Sequence, residues 1–434
     1  MENRYDKYKD SGIAWIGEIP EHWEIRKLKN IFLLSTGTTP KEYDKISEGD
    51  NLINWYTPSD ILEGCNDLFS SLRKLSERVI YENKISLFPI GTLLYVGIGA
   101  SAGKVGYANE NGYSNQQITG LIPLECYSRF YFYYLSVLKD KIRDNAFFTT
   151  LPIINNVYLG QELLPYPLLS EQQSIANYLD QKCGEIDELI TLQEEMITKL
   201  QSYKQSVITE AVTKGLNKNV PLKDSGIEWI GEIPEHWICT VFKKFLSEPM
   251  QYGANEPAEE CNYNDPRYIR ITDIKDDGTL RDHTFKSLPL EKAKEYMLTK
   301  GDLLFARSGA TVGKTFLYKE DYAACFAGYL IKARCNKNEL LPNFIFYYTL
   351  SNAYQNWKNS IFIQSTIQNI GADKYSVMPI IAPPLSEQQS IANYLDQKCS
   401  EIDELISIKQ QKIEKLKDYK KSLIFECVTG KRKV

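Results

Sequence analysis

Apolar residues recur at three- and four-residue steps along two long stretches of the chain, which is the spacing of a coiled-coil seam. In the first stretch they are Ile186, Leu189, Met196, Leu200, Tyr203 and Val207, and the second stretch repeats them as Ile402, Leu405, Leu416, Tyr419 and Leu423. Gln193 and Lys409 interrupt both seams at the same level. The first pattern predicts a helix of roughly 43 residues, Glu171 to Thr213, which would reach about 64 Å. That length exceeds what a compact domain needs, so the pattern favours a spacer.

The two predicted helices are copies of each other. The segment LSEQQSIANYLDQKCGEIDELI, Leu169 to Ile190, returns with one change as LSEQQSIANYLDQKCSEIDELI, Leu385 to Ile406. The segment KDSGIAWIGEIPEHW, Lys9 to Trp23, returns with one change as KDSGIEWIGEIPEHW, Lys223 to Trp237, and we call these two the opening segments. The chain is therefore a tandem duplication. The near-identity of the helices favours a shared spacer role over two unrelated amphipathic helices.

Local signals suggest how these repeats are held in place. Each helix start carries the Ser-x-x-Gln spacing of a capping box, at 170–173 and 386–389. The tryptophans of the opening segments are expected to anchor each globular body to an adjacent helix. His22 and His236 have no cluster of polar partners in the sequence, so we interpret them as packing residues and not as catalytic groups.

Between the repeats the two halves diverge but keep a common skeleton. Short β-rich and aromatic runs separated by Gly, Asn, Asp and Pro predict antiparallel strands, with packed helices at Ser128–Asp140 and Pro342–Asn352. We interpret the aromatic stripes of these helices as core. The predicted fold class is α+β, with two mixed α/β bodies separated by two long helices that form an antiparallel coiled coil with an internal pseudo-twofold repeat. The expected domains are residues 1–168, 169–215, 216–384 and 385–434.

Composition and charge narrow the class of protein. The 434 residues are 43% hydrophobic, and no run approaches the length of a membrane span. The first twenty residues are charged and not signal-like, so a cytoplasmic protein is expected. The formal net charge is −5, but Glu171–Glu195 carries −6 and Glu387–Ile406 carries −4, which leaves +5 for the rest. Basic bodies are compatible with DNA contact, and acidic helices suit a protein partner.

Two glycine-rich loops resemble enzyme motifs but do not match them. Gly309 to Thr315 resembles a phosphate-binding P-loop, yet only three residues separate its glycines where four are needed. Tyr95 to Gly99 resembles the cofactor turn of a methyltransferase, but its counterpart, Phe305 to Gly309, lacks the first glycine and no base-pocket motif follows. No metal-ligand spacing appears. We interpret the loops either as Gly-Lys turns that bring amides and a lysine to a DNA phosphate, or as tight strand turns.

Together, the SEQQ-I-A-YLD signature at each helix start, the SGI-WIGEIP-HW opening segments and the GTLL or GDLL strand before a GK loop resemble a type I restriction-modification specificity subunit. The resemblance covers nearly the whole chain. It implies two target recognition domains, residues 1–168 and 216–384, each reading one half of a bipartite DNA site. It also implies spacer helices, residues 169–215 and 385–434, that bind two methyltransferase subunits. Restriction/translocase subunits would complete the complex, and S-adenosylmethionine, ATP and magnesium would act on partner subunits, with none on this non-catalytic chain.

Candidate contacts follow from side-chain chemistry and local turns. For DNA binding by the first body they are Thr38, Thr39, Tyr56, Ser59, Lys104 and Gln116, and for the second body Arg267, Arg270, Thr272, Arg307, Ser308, Lys314 and Gln368. Arg270 and Arg307 can each form a bidentate contact with guanine. For partner binding the acidic candidates are Glu185, Asp187, Glu188, Glu401, Asp403 and Glu404.

Three other classes of function stay open at this point. A free-standing methyltransferase is disfavoured by the missing cofactor and base-pocket motifs. A stand-alone coiled-coil adaptor would bind no DNA, and a solitary DNA-binding repressor would need neither acidic helices nor methyltransferase partners.

Overall fold

The computed structural model describes residues 4–41, 50–62, 66–144, 147–148, 152–258, 262–275, 277–363 and 369–434. The chain divides into two compact units, of which unit 1 contains Met1–Gln193 and Gln411–Val434 and unit 2 contains Glu194–Gln410. Both boundaries fall inside long helices. Each unit therefore contains one globular body, the beginning of one long helix and the end of the other. We call these globular parts the first body and the second body.

The elements of the first half are short apart from one helix. Its strands are β1 (Tyr8–Asp10), β2 (Glu18–Pro20), β3 (Glu24–Lys27), β4 (Phe32–Thr36), β5 (Leu52–Tyr56), β6 (Asn66–Leu68), β7 (Lys74–Ser76), β8 (Leu93–Val96), β9 (Val105–Ala108), β10 (Tyr113–Ser114), β11 (Ile118–Pro123), β12 (Phe147–Phe148), β13 (Pro152–Ile153) and β14 (Leu163–Tyr166). Its helices are α1 (Leu28–Ile31), α2 (Glu77–Asn83), α3 (Ser128–Asp144), α4 (Asn156–Gln161) and the long α5 (Leu169–Lys214).

The second half repeats this order with fewer strands. They are β15 (Leu222–Asp224), β16 (Glu232–Pro234), β17 (Ile238–Val241), β18 (Gln251–Tyr252), β19 (Arg267–Ile269), β20 (Leu303–Ala306), β21 (Thr315–Leu317), β22 (Ala324–Phe326), β23 (Leu330–Ala333) and β24 (Pro379–Ala382). The helices are α6 (Leu290–Ala293), α7 (Pro342–Leu350), α8 (Asn352–Ile363), α9 (Ala372–Ser376) and the long α10 (Leu385–Val428).

The main sheets of the two bodies share four strands in the same order. The main sheet of the first body has the strand order β4-β11-β8-β9-β6, and that of the second body has the order β18-β23-β20-β21. In addition, β5 pairs with β10 in parallel, as β19 does with β22. These strands correspond one to one, and only β6 adds an edge to the first sheet. The α+β class predicted from the sequence is confirmed.

The central strand of each main sheet is buried on both faces. In β8, Leu93 and Tyr95 belong to the core that contains α3, whereas Leu94 and Val96 belong to a second core with Tyr56. This alternation follows from the two-residue period of a strand. Because both faces are covered, the strand sequence is a continuous apolar run. The aromatic residues of α3, 130–134, are all buried, so their interpretation as core is confirmed.

The starts of the long helices differ from the predicted capping boxes. The amide of Gln172 donates to Leu168 O at 2.9 Å and that of Gln388 donates to Pro384 O at 3.0 Å, so both serines lie inside the first turn and the capping-box prediction is wrong. The neighbouring glutamines fix the helix starts instead. Gln172 accepts from the Tyr127 amide, Gln388 accepts from the Leu341 amide, and both side chains are fully buried. Buried amide groups need such partners, which explains this use of glutamine.

Each opening segment connects two different helices. Trp23 is fully buried and lies beside Gly430 at the end of α10, while Trp237 lies beside Gly215 at the end of α5. The histidines bind the other helix of each unit: His22 Nε2 lies 2.9 Å from Glu171, and His236 Nε2 lies 2.7 Å from Glu387. The prediction that the tryptophans anchor each body to an adjacent helix is therefore confirmed, whereas His22 and His236 are exposed and contact the helices through a glutamate.

The long helices run in opposite directions. Asp187 forms an ion pair with Lys420 in unit 1, and Lys204 forms the equivalent pair with Asp403 in unit 2, at 2.6 and 2.7 Å. The later residue of α5, Lys204, pairs with the earlier residue of α10, Asp403. The predicted antiparallel arrangement of the helices is therefore confirmed. Two seam residues in each unit, Ile186 and Leu423 or Val207 and Ile402, are buried.

The middle of the predicted seam differs. Its apolar members are 43–56% exposed, namely Leu189, Met196, Tyr203, Leu405 and Tyr419. The predicted coiled-coil seam, interrupted at Gln193 and Lys409, is therefore half-exposed at these residues. Of its buried members, Ile186 and Leu423 belong to the core of the first body and Val207 to that of the second. Gln193, placed in the seam by its spacing, is buried.

Candidate nucleic-acid interface

Four loops converge at one end of the main sheet in the first body. We call residues 37–39, 57–60, 97–104 and 115–117 its loop cluster. Backbone hydrogen bonds join the loops: the Thr38 amide donates to Ser114 O at 2.8 Å, the Asn115 amide to Tyr56 O at 3.0 Å, and the Gly97 amide to Gln117 O at 2.8 Å. Main-chain bonds are independent of side-chain identity, so the frame is compatible with many sequences.

The loop cluster of the second body, residues 253–255, 270–273, 307–314 and 327–329, has the same frame. The Ala254 amide donates to Phe326 O at 2.9 Å, the Ala327 amide to Ile269 O at 2.9 Å, and the Arg307 amide to Tyr329 O at 3.0 Å. Each bond has its counterpart in the first body. The two sites therefore match position by position, although few of their side chains are the same.

An aspartate fixes the turn after the β5 and β19 strands. The Thr57 amide donates to Asp60 Oδ2 at 2.7 Å, and the Arg270 amide donates to Asp273 Oδ2 at 2.8 Å. Each aspartate caps a single 3-10 turn, Pro58–Asp60 or Ile271–Asp273. These turns place the middle residue, Ser59 or Thr272, on the exposed surface of the cluster.

A glycine allows two loops of each cluster to approach closely. A Cβ atom on Gly37 would lie 2.3 Å from Asn115 O and 2.5 Å from Ser114 O. A Cβ atom on Gly253 would lie 2.4 Å from the carbonyl oxygens of Phe326 and Ala327. Both distances are shorter than any real contact, so these positions require glycine.

Most of the first-body candidates lie on the loop cluster. Thr38, Thr39, Ser59 and Gln116 are exposed, and the Thr39 hydroxyl is hydrogen bonded to the Gln116 carboxamide. Tyr56 differs, because its side chain is 0% exposed and packs in the core. Burial raises the pKa of the Tyr56 hydroxyl to about 12, with further contributions from Glu110 and Asp60. This burial removes Tyr56 from the candidate surface.

The candidates of the second body differ more in their exposure and location. Thr272 is exposed, while Arg270, Arg307, Ser308 and Lys314 are half-buried within the cluster. Arg267 is only 6% exposed and lies at the opposite end of β19, where it donates to Tyr322 and to Arg281 O. Burial at that end places Arg267 outside the cluster. Gln368 lies outside the described residues.

The two GK loops are tight turns. The Ala102 amide donates to Gly99 O at 2.9 Å, and the Val312 amide donates to Gly309 O at 3.0 Å. The next amide in each loop, Gly103 or Gly313, donates back to the preceding strand. These two amides of each loop are therefore occupied by the turn itself. The lysine that follows, Lys104 or Lys314, is half-buried.

Two exposed residues of the second cluster were missed by the sequence reasoning. Asn255 and Tyr329 line a groove of about 730 Å³ together with Arg270 and Thr272. Tyr329 is 62% exposed. The equivalent main-chain bonds place Asn255 opposite Thr39 and Tyr329 opposite Gln117, and the match of WYTPSDI (55–61) with YIRITDI (268–274) lies between them in the chain. That internal alignment was the available signal.

The bodies are joined to the long helices by buried polar contacts. Tyr133 donates to Asp180 of α5 and Tyr347 donates to Asp396 of α10, each at 2.6 Å. In the first body Arg129 also bridges Asp180 to Asp67, at the edge strand β6. Burial would raise the pKa of Asp67, but hydrogen bonds from Arg129 and Asn109 lower it overall. The stability from this pair is therefore present at neutral pH and lost as the pH falls through that lowered pKa.

The acidic candidates on the helices are all exposed but differ in their partners. Glu185 and Glu401 pair with lysines one turn earlier in their own helices. Asp187 and Asp403 join the two helices, as described above. Glu188 and Glu404 form no ion pair with any described residue, so they are the clearest acidic groups facing solvent.

Comparison with known protein families identifies the class. The family profile described as "Type I restriction modification DNA specificity domain" matches residues 20–201 and 251–418, one match in each half. The chain belongs to this family of DNA specificity proteins. Type I specificity subunits recognise DNA and work with modification and restriction subunits.

Individual relatives cover most of the chain at low identity. The MjaVIII specificity subunit of Methanocaldococcus jannaschii is 24% identical over 96% of this chain and 94% of its own length. The EcoKI specificity subunit of Escherichia coli K12 is 23% identical over 88% of this chain and 83% of its own. The MjaIX specificity subunit of M. jannaschii is 26% identical over 68% of both.

Solved structures share the fold. One, from a study of "complex assembly and conformational transition of the type I R-M system", has a TM-score of 0.73 at 14% identity and covers 94% of this chain and 98% of its own. The HsdS subunit from Thermoanaerobacter tengcongensis has a TM-score of 0.51 at 16% identity, with coverage of 95% and 98%. Within the described part of the chain, no helix is long and apolar enough to cross a membrane, and no His, Cys, Asp and Glu side chains cluster as a metal site.

Proposed function

We propose that the first body reads one half of a bipartite double-stranded DNA site and the second body reads the other half. The observation that carries this proposal is the shared frame of the two loop clusters, on which different side chains are exposed. A frame made from main-chain bonds tolerates exchange of the side chains that meet base edges. In this proposal the recognition domains are residues 1–168 and 216–384.

The proposed contacts in the first body are Thr38, Thr39, Ser59, Lys104 and Gln116. Those in the second body are Arg270, Thr272, Arg307, Ser308 and Lys314, with Gln368 retained as a sequence prediction. Hydroxyl and amide groups suit base edges, whereas the lysines suit phosphates. The excess of positive charge outside the acidic helix segments supports this division.

We also propose that α5 and α10, within residues 169–215 and 385–434, set the gap between the half-sites and bind two methyltransferase subunits. Exposed acidic groups and half-exposed apolar residues occur at matching positions of both helices, which supports two equivalent partner sites. Restriction/translocase subunits complete the proposed cytoplasmic complex. Its S-adenosylmethionine, ATP and magnesium belong to the partners, and this chain contributes no catalytic group.

Methylome sequencing of a host that expresses the chain with its methyltransferase tests the division of labour. The expected motif is bipartite and interrupted by a fixed gap. Replacing the second body with that of a relative should change one half of the motif and leave the other half unchanged. The proposal would fail if both halves of the motif changed together. It would also fail if the chain bound no DNA, which is the behaviour expected of an adaptor.

A second test concerns the gap. Inserting four residues beside Gln193 adds about 6 Å of helix, slightly more than one turn. Since B-DNA rises about 3.4 Å per base pair, the gap should lengthen by one or two base pairs while both half-sites keep their sequences. The added rotation of the DNA is expected to lower activity. An active variant with an unchanged gap would show that the helices do not set it.

A further inference from the structure

The three arginine candidates of the second body differ in how far their guanidinium groups are engaged by other residues of the body. Arg267 donates to Tyr322 and to Arg281 O at 3.1 and 2.9 Å. Arg270 forms an ion pair with the buried Asp273 at 2.8 Å and also donates to Thr284 O. Both guanidinium groups are thus engaged in holding the body together.

Arg307 is the exception. Among the described residues its guanidinium makes one side-chain hydrogen bond, from Nη1 to Gly328 O at 3.5 Å, while its Nε atom, like that of Arg267, is buried without a partner. The guanidinium lies over the ring of Tyr252, with its central carbon 4.9 Å from the ring centroid. When a planar guanidinium stacks on an aromatic ring, its N–H groups still point outward in the plane of the guanidinium and can donate hydrogen bonds to another molecule.

Both members of this stack are held in place. The Tyr252 hydroxyl accepts a hydrogen bond from the Ala372 amide at 3.0 Å, and Tyr252 pairs with Ile331 in the main sheet. The main chain of Arg307 is bonded on both sides, by donation to Tyr329 O and by acceptance from the Ile370 amide. Tyr252 nevertheless remains 41% exposed, so the stack reaches the surface of the loop cluster.

The first body lacks this pair at the equivalent positions of its loop cluster. Gly97 occupies the position of Arg307, and a Cβ atom there would lie 2.9 Å from Ile154 O. Thr36 occupies the position of Tyr252, where its hydroxyl accepts from Asn156 at 2.9 Å. The stack is therefore a feature of the second body alone, on a frame that both bodies share.

We propose that Tyr252 positions Arg307 to read a guanine in the half-site of the second body. The two parallel N–H groups of a guanidinium match the O6 and N7 acceptors of guanine in the major groove. Tyr252 is a positioning residue, because it acts on DNA through the orientation of Arg307. This inference rests on the proposed function and assigns a base to one of its two half-sites.

The test measures methylation by the full chain with its methyltransferase, on duplexes in which the second half-site is randomised. The wild type should require guanine at one position of this half-site. R307A and R307K should both lose that requirement, by roughly 5- to 150-fold, because neither side chain offers the planar fork. Y252F keeps the ring and should keep the requirement, whereas Y252A should weaken it.

K374A is the matched control, since it removes an exposed positive charge from α9, two residues from Ala372, without touching the stack. It should leave the base preference unchanged, and thermal unfolding of each variant checks its fold. A bipartite motif whose guanine requirement survives in R307A overturns this inference alone. An R307A variant that loses methylation equally at every base pair of the half-site also overturns this inference. A wild-type complex without a bipartite motif overturns the proposed function as well.

Discussion

The loop clusters of the two bodies share their main-chain bonds but differ in the chemistry they expose. The first presents small hydroxyl and amide groups, such as Thr39 and Gln116, while the second presents Asn255, Tyr329 and the stacked Arg307. Between the first halves of the long helices the relation is reversed, because over 169–190 and 385–406 the side chains are the same apart from Gly184 and Ser400. The difference shows where each region is constrained. Backbone contacts hold the clusters and leave their side chains free to change, whereas side-chain contacts hold the helices.

The largest expected effect comes from the duplicated tryptophans. Trp23→Ala and Trp237→Ala should each lower the free energy of unfolding of their unit by about 3–5 kcal/mol, because each ring is fully buried between an opening segment and a long helix. Chemical denaturation of the full chain measures the loss. Phenylalanine variants give the matched comparison.

Trp237 Nε1 donates to Glu387 at 3.0 Å, but Trp23 Nε1 has no partner among the described residues. Trp237→Phe should therefore cost about 1 kcal/mol more than Trp23→Phe. Equal costs would show that this hydrogen bond contributes nothing.

The next largest effect is expected from glycine variants that disturb the loop cluster of one body only. Gly37→Ala should disturb the first loop cluster and Gly253→Ala the second, because the added carbon would overlap main-chain oxygens. Each variant should lose discrimination in one half-site only, about tenfold or more, the value of one good base contact. Methylation of duplexes with single changes in either half-site measures this.

Gly184→Ser is the control for these glycine variants. Ser400 already occupies the equivalent position of the other copy, and nothing lies within 4 Å of the added carbon. It should leave both half-sites unchanged. A Gly37→Ala variant that altered both half-sites would contradict the independence of the clusters.

A smaller effect distinguishes two kinds of acidic residue on the helices. Charge reversal of Glu188 and Glu404 should weaken assembly with methyltransferase subunits and leave unfolding unchanged, because neither forms an ion pair with a described residue. Reversal of Asp187 and Asp403 should lower the stability by up to about 1 kcal/mol for each, because their lysine partners lie on the other helix. Analytical ultracentrifugation measures assembly. Normal assembly after reversal of all six acidic candidates would exclude this surface.

The smallest effect compares the two copies of one seam position. Gln193 is buried and its Oε1 atom has no partner among the described residues, so Gln193→Leu should stabilise unit 1 by about 1 kcal/mol. Lys409, its counterpart, is half-exposed, and Lys409→Leu should gain less. Thermal unfolding compares the two. A destabilised Gln193→Leu variant would indicate an unseen hydrogen bond to this amide.

The sequence by itself determined the duplication, the two long helices and the α+β class, and the antiparallel direction of the helices was expected together with the family resemblance. These features depend on repeats and on periodic apolar residues, which are local in the sequence. It also placed Thr38, Thr39 and Ser59 in turns or loops, because turn residues mark loops wherever they occur, but it placed Tyr56 there too, where the structure has the end of strand β5.

Only the tertiary structure decided which candidates reach the surface. Tyr56 and Arg267 lie in β5 and β19, the strands that precede the turns of Ser59 and Thr272, and both are buried, because a strand directs alternate side chains to opposite faces and its two ends to opposite edges. The stack of Arg307 on Tyr252 joins residues 55 positions apart and has no local signature. Burial along the helix seam was likewise decided by tertiary contacts, since periodicity defines a helix face but not what covers it.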